Sequence, residues 1–182
     1  IKDFTKPVDI PAVDVPAGYT TLFVFPYSVG FQFSGFKNLA ALNEAITKRL
    51  KNLGVTTLLF MRHLELIEYE IKIPGKEASG EYLLDAEPIN DHCTRVSAIE
   101  SEDDKTDESL SFIKFSMPID SRVSTRTIDV AFTVATDKEG KTTFQKAKNP
   151  YISVYFPTET ESKLDFIVQG PFRTTPNRSS VP

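Results

Sequence analysis

The stretch Ile128-Asp-Val-Ala-Phe-Thr-Val134 shows the clearest alternation in this chain of 182 residues. Ile128, Val130, Phe132 and Val134 occupy every second position. Successive side chains of a β-strand point to opposite faces, so these four residues would share one face. The run leads to a turn signal at Asp137-Lys-Glu-Gly140. An apolar-faced strand followed by such a turn predicts an antiparallel sheet in this part of the chain.

Short segments of the same kind occur on both sides of this strand. Ile67, Tyr69, Ile71 and Ile73 alternate with charged residues and stop at Pro74-Gly75, which predicts a half-exposed strand and a turn. The β-branched and aromatic content of other short runs predicts further strands. These lie at residues 19–25, 55–61, 81–84, 92–99, 110–116, 142–145, 151–156 and 164–168.

One amphipathic helix is predicted over residues 38–53, in the N-terminal third of the chain. Five apolar residues recur there at helical spacing: Leu39, Leu42, Ile46, Leu50 and Leu53. Asn38 is a suitable N-cap, and Gly54 stands where a helix commonly ends. The fold class is therefore α+β, with a mixed, mostly antiparallel sheet of short strands and one main helix.

The charge of the chain is concentrated in one place. The formal net charge is −4, and residues 100–109 alone hold six carboxylates and Lys105. Such a block repels itself and lacks an apolar face, so we expect a mobile surface loop. The rest of the chain is close to neutral and offers no general attraction for nucleic acid or for an anionic membrane.

Cysteine and histidine content limits the chemistry that the chain can perform. Cys93 is the single cysteine, which excludes an internal disulfide and fits a reducing, cytoplasmic location. His92 and Cys93 are neighbours on a predicted strand and would point to opposite faces, so they do not form a thiol–imidazole pair. With His63 as the other histidine, a zinc site is not expected. We find no complete catalytic set and no segment long enough to cross a membrane.

The segment Gly170-Pro-Phe-Arg-Thr-Thr-Pro-Asn-Arg178 carries the candidate site. A short strand here ends in a loop punctuated by Gly and Pro that holds Arg173 and Arg178. Guanidinium groups donate paired hydrogen bonds to phosphate and carboxylate oxygens. Both arginines are therefore candidate phosphate contacts, and Pro176-Asn177 favours Arg178 by setting a turn before it. The alternative is that both arginines pair with carboxylates or lie in solvent.

Residues 151–178 carry a family resemblance. Tyr151-Ile-Ser-Val-Tyr-Phe-Pro-Thr-Glu-Thr160 and Leu164-Asp-Phe-Ile-Val-Gln-Gly-Pro-Phe-Arg-Thr-Thr-Pro-Asn-Arg178 resemble a segment of large bacterial proteins with an N-terminal GHKL-type ATPase module. That module is akin to those of the ninety-kilodalton heat-shock chaperones and of sacsin. In this family one strand ends in FPT, a second reads FlvqGP, and the loop reads RTTPxR. Gly18–Pro26, the helix and Leu58–Leu64 resemble the end of the ATPase sandwich more weakly.

The chain also departs from the family pattern. A GHKL ATPase needs a Glu and an Asn on one helix face, and here Lys48 stands one turn after Glu44. It also needs an Asp-x-Gly-x-Gly segment, and Asp137-Lys-Glu-Gly140 lacks the second glycine. The resemblance therefore implies a fragment that starts after the nucleotide-binding motifs. ATP and Mg²⁺ would belong to the parent protein, with no cofactor held by this chain.

The resemblance implies a function for the whole chain. Residues 1–74 would end the ATPase-like sandwich, and residues 75–182 would form a β-rich middle or coupling domain. The chain would offer Arg173 or Arg178 to a nucleotide phosphate that upstream residues bind, in a chaperone-like ATPase acting on protein or nucleic-acid clients. The alternative is a non-catalytic β-rich interaction or assembly module, with Tyr27, Phe31, Phe33 and Phe36 as its partner surface.

Overall fold

The structure is a computed structural model that describes residues 17–21, 35–103, 105–119, 126–148, 150–177 and 179–182. The chain divides into two compact units, Ile1–Glu44 and Ala45–Pro182, and the sheet belongs to the second. Most of the predicted strand at 19–25 lies outside the described residues. The predicted division into 1–74 and 75–182 stays a prediction.

The predicted helix is confirmed as α1, Leu39–Lys51. The side-chain oxygen of Asn38 accepts a hydrogen bond from the Ala41 amide at 2.9 Å, which is the expected N-cap contact. Gly54 follows the helix with a φ of +87°, a left-handed conformation that glycine adopts without steric cost. Local signals in the sequence therefore placed the start of this helix correctly and its end two residues too late.

Among the described residues of the second unit, nine strands form one sheet. Its strands in chain order are β1 (Leu66–Ile73), β2 (Lys76–Asn90), β3 (Cys93–Glu102), β4 (Lys105–Ile119), β5 (Arg126–Thr136), β6 (Thr142–Phe144), β7 (Tyr151–Val154), β8 (Phe156–Glu161) and β9 (Ile167–Gln169). The spatial order is β1-β2-β3-β4-β5-β9-β7-β8, and β6 pairs with β5 beside β9. All pairs are antiparallel except β7 with β9, which is parallel.

The mixed, mostly antiparallel sheet is thus as expected, but strands dominate more than a balanced α+β class implies. One reason is that β2 and β4 each run for 15 residues. Pro74-Gly75 forms the tight turn between β1 and β2, where Gly75 has a φ of +78°.

The predicted strand at 55–61 is wrong. This segment forms successive turns, in which the amides of Thr57, Leu59 and Met61 donate to carbonyls three residues earlier. Leu58, Leu59 and Phe60 are nevertheless buried. A short apolar run signals burial, but by itself it does not distinguish a strand from turns.

The mobile loop expected at residues 100–109 is also wrong. β3 continues to Glu102 and β4 begins at Lys105, so the acidic block forms the end of a hairpin. Glu102 pairs with the ammonium of Lys51 and lies opposite Lys105 in the register. Backbone pairing and these cations offset the repulsion that the sequence pattern suggested.

The two faces of the sheet differ in their surroundings. On the covered face, the side chains of Tyr82, Val96, Phe112 and Ile167 pack in one cluster with the turns at 55–60. The opposite face, called the open face, carries the alternating residues of β5 together with their register partners on β4. A smaller buried cluster of Cys93, Ile113 and Val134 lies there. The main core is therefore on one side of the sheet.

Candidate functional site

The C-terminal loop starts from a fixed point at the end of β9. Gly170 is buried, and its amide donates to the carbonyl oxygen of Ser153 on β7 at 3.3 Å. A Cβ atom added to Gly170 would lie 2.9 Å from the ring of Phe172. The absence of a side chain at this position therefore allows the phenyl ring to fold back on the strand end.

The middle of the loop is closed by its own hydrogen bonds. The Thr175 amide donates to the Ser180 carbonyl at 2.9 Å, and the Thr175 hydroxyl donates to the Asn177 side-chain oxygen at 2.7 Å. The chain then runs beside β8, where the Glu159 amide donates to the Ser179 carbonyl at 2.6 Å. The loop is tied to the sheet at both ends.

Arg173 projects from this tied loop. Its side chain is exposed, and within the described residues its guanidinium makes neither a hydrogen bond nor an ion pair. None of its five N–H donors is used by the residues that the structure describes. Arg178, the other predicted phosphate contact, lies outside the described residues, so the structure does not place the two arginines together.

A buried polar row runs beneath the start of the loop. Asp129, Gln169 and Ser153 are register neighbours on β5, β9 and β7, and all three are buried. The Ser153 hydroxyl, in a side chain that is 1% exposed, has no hydrogen-bond partner among the described residues. Most buried polar groups in proteins are paired, so this row is an unusual place in the sheet.

The other candidate chemical groups are dispersed. Cys93 is buried on β3, and His92 is exposed in the turn before it. The described residues include no group of three His, Cys, Asp or Glu side chains suited to a metal ion. Of the aromatic residues expected to form a partner surface, Phe36 is 38% exposed, and Tyr27, Phe31 and Phe33 lie outside the described residues.

The structure shows an apolar surface that the sequence reasoning missed. It lies on the open face and is called the phenylalanine patch. Its residues are Phe115, Met117, Ile128, Val130, Phe132, Phe144 and Phe166. Met117 is 72% exposed and Phe144 is 66% exposed. The signal for it was present, because Phe112-Ile-Lys-Phe-Ser-Met117 places apolar residues on both faces of β4.

Phe132 is the centre of the phenylalanine patch. Its ring centroid lies 6.0 Å from that of Phe115, 5.6 Å from that of Phe144 and 4.9 Å from that of Phe166. An open concavity of about 560 Å³ lies between the rings of Phe115, Phe132 and Phe144. The ion pair between Lys146 and Asp165, at 2.6 Å, borders it. The rings are thus already arranged around a hollow.

Among the residues that the structure describes, no helix has the length and apolar character needed to span a membrane. Cytoplasmic location stays a prediction. Comparisons of the chain with protein-family models, with curated proteins and with solved structures gave no match. The resemblance to GHKL-type proteins stays a prediction.

Proposed function

We propose that this chain is the coupling segment of a GHKL-type, chaperone-like ATPase, and that Arg173 contacts a nucleotide phosphate held by an upstream module. The supporting observation is the exposed arginine on a loop that is tied at both ends. A cation in this position would stabilise the charge that develops on the γ-phosphate during transfer. ATP and Mg²⁺ would be bound by the parent protein, and Arg178 remains the second candidate contact.

The attachment of the Arg173 loop would also allow it to transmit a conformational change from the nucleotide to the sheet. Gly170 follows β9 directly, and the loop returns along β8, so a force on Arg173 would act on two strands of the sheet. Nucleotide state in such a machine is reported by groups that touch the γ-phosphate and are rigidly joined to the next domain. The tied loop supplies that rigid connection.

The test is ATP turnover by the full-length protein with Arg173→Ala. Loss of a charge that acts in the transition state lowers kcat by about 10²-fold or more, with little change in KM. Arg49→Ala, at an exposed arginine of α1, is the matched control and leaves kcat unchanged. Unchanged turnover in the Arg173 variant, or a full-length protein that does not bind ATP, would overturn the proposal.

A second candidate function is a β-rich interaction module, and the phenylalanine patch favours it. Large exposed apolar patches mark surfaces that bind partners. The rest of the open face is acidic on β1 and β2: Glu68, Glu70, Glu77, Glu81, Asp85 and Glu87 share it with Lys72. Glu68 lies directly opposite Glu81, a like-charge pair that is unfavourable without a cation nearby. The partner would therefore be a protein segment with apolar anchors and flanking basic residues.

This candidate is tested with an amphipathic Leu/Lys peptide and its Leu/Glu counterpart, titrated into the chain by calorimetry. The Leu/Lys peptide is expected to bind, and Phe144→Ser to weaken binding about tenfold or more by removing the most exposed ring of the phenylalanine patch. Tyr155→Ser, at an exposed tyrosine between β7 and β8, leaves the affinity unchanged. Equal binding of both peptides would mean that the acidic residues on the open face of β1 and β2 do not contribute to peptide affinity.

A further inference from the structure

A lysine occupies a core-like position on the covered face of the sheet. Lys114 lies on β4 two residues after the fully buried Phe112, and its register partner Ala131 is also buried. Burial lowers the pKa of the Lys114 ammonium, although the carboxylate of Asp129 acts in the opposite direction. An apolar residue would fit this position at lower cost, so folding alone does not explain the charge.

The Lys114 ammonium has few partners. It donates to the Leu59 carbonyl oxygen at 3.4 Å, and no carboxylate of the described residues forms an ion pair with it. An ammonium carries three donors, and within the part of the chain that the structure describes this long contact is the one that uses them.

A second cation is held at the same place by a short hydrogen-bonded chain. The Arg62 guanidinium donates to the Thr127 hydroxyl at 2.9 Å, and that hydroxyl donates to the Asp129 carboxylate at 3.3 Å. Asp129 is 9% exposed. The buried carboxylate therefore fixes the hydroxyl, and the hydroxyl in turn orients the exposed guanidinium.

Both cations line one open cavity of about 420 Å³. Its lining is apolar on β2, through Leu84, Ala86 and Pro88, and polar on β4 and β5, through Lys114, Ser116, Thr127 and Asp129. Phe60, Met61, Arg62, Glu65 and Thr94 complete it. Glu65 is exposed and lies beside Leu84, whose amide donates to the Glu65 carbonyl oxygen at 2.7 Å. Cavities of this size with a few convergent polar groups are typical of small-molecule sites.

We propose that this cavity binds the oxyanion of a small organic ligand, a carboxylate or a phosphate monoester, between Lys114 and Arg62. A group with at least two acceptor oxygens accepts from both cations at once. The apolar wall at Phe60, Leu84 and Pro88 receives the carbon body of the ligand. Thr127 and Asp129 are positioning residues, because they act through Arg62. The cavity contains no residue of the Arg173 loop and lies on the face of the sheet opposite the phenylalanine patch.

The test is a titration of the ¹⁵N-labelled chain, followed by amide chemical shifts, with benzoate, phenyl phosphate, inorganic phosphate and neutral benzyl alcohol. Saturable shifts are expected near Leu59–Arg62, Lys114 and Thr127–Asp129 with benzoate or phenyl phosphate. Whichever of benzoate and phenyl phosphate binds with the higher affinity shows whether the site prefers a carboxylate or a phosphate monoester. A weaker response to inorganic phosphate shows that the apolar wall contributes. Benzyl alcohol lacks the charge and gives no saturable shifts.

Variants separate this site from general attraction of anions. Lys114→Gln is expected to weaken binding about tenfold or more, as loss of a charged hydrogen bond does. Arg62→Gln weakens it less, and Lys72→Gln, at an exposed lysine on the open face, leaves it unchanged. Lys114→Met is the second variant, for the case that the glutamine is poorly tolerated. Equal affinity in the Lys114 and Lys72 variants, binding of benzyl alcohol as strong as that of benzoate, or no saturable shift with any anion would overturn the proposal.

Discussion

Tyr82 is the residue at which a single hydroxyl has the most predictable effect. The side chain is buried on the covered face, and its hydroxyl donates to the Leu50 carbonyl oxygen in the last turn of α1 at 2.7 Å. The last carbonyls of a helix have no intrahelical donor, so the tyrosine supplies one. Tyr82→Phe keeps the ring and removes this bond, which lowers the free energy of unfolding at neutral pH by about 1 kcal/mol. In a domain of this size, the melting temperature falls by roughly 2–4 °C.

The effect reverses in alkaline solution. Burial, followed by the neighbouring carboxylate of Glu100, raises the pKa of Tyr82 to about 12. The unfolded chain has an ordinary tyrosine pKa of about 10. Because the folded pKa is the higher one, the stabilisation by the neutral phenol is complete below pH ~10 and is lost as the pH rises towards ~12. At pH ~11 this ionisation lowers the free energy of unfolding by about 1.4 kcal/mol, which offsets the contribution of the hydrogen bond.

The assay is urea unfolding of the parent chain and of Tyr82→Phe at pH values from neutral to strongly alkaline. We expect the two stabilities to be equal near pH ~11, and the variant to be the more stable above that point. Tyr155→Phe, at an exposed tyrosine, is the control and shifts stability by less than about 0.5 kcal/mol throughout. A difference between parent and Tyr82→Phe that stays constant across this range would refute the account of the buried phenol.

Three further substitutions test separate parts of the fold by thermal or urea unfolding. Asn38→Ala removes the N-cap contact to Ala41 and should reduce helix stability by about 1 kcal/mol, seen in the far-ultraviolet circular dichroism. Gly80→Ala places a Cβ 2.6 Å from Cζ of Tyr69, and the crowding should cost about 1–3 kcal/mol; an unchanged midpoint would mean that the ring moves freely. Lys114→Met replaces a partly buried charge with an apolar side chain and should raise stability by about 1 kcal/mol or more; a loss would mean that the lysine supports the fold.

The sequence predicted those parts of the fold that depend on interactions between residues close together in the chain. The cap at Asn38 and the turn at Gly54 act within one turn of chain, so the helix start was predictable and its end was predictable to within two residues. The alternation in Ile67–Ile73 likewise required a strand. The turns at 55–60 were not predictable, because their buried apolar run has no period of its own. The hairpin at residues 100–109 was not predicted, because the pairing of β3 with β4, and not the local acidic sequence, decides its structure.

The candidate sites divide in the same way. The loop with Arg173 was found from Gly, Pro and Arg in one short segment. The cavity was not, because Arg62 and Thr127 are 65 residues apart in the chain and meet only through the fold. Lys114 looked like an ordinary strand residue until the register showed which face of β4 was covered.

The strongest argument that the open face binds a partner is that β4 and β5 place most of their large apolar side chains on it. On β5 the apolar set Ile128, Val130, Phe132 and Val134 lies on the open face, whereas Asp129, Ala131 and Thr133 lie on the covered face. On β4 the open face likewise has Ile113, Phe115 and Met117, and the covered face has Phe112, Lys114 and Ser116. A one-residue slip would turn both apolar sets towards the core, but it would also turn the fully buried Phe112 and Ala131 out of it. The observed register is the one expected if the phenylalanine patch is buried by a partner and the cavity at Lys114 is kept polar for a ligand.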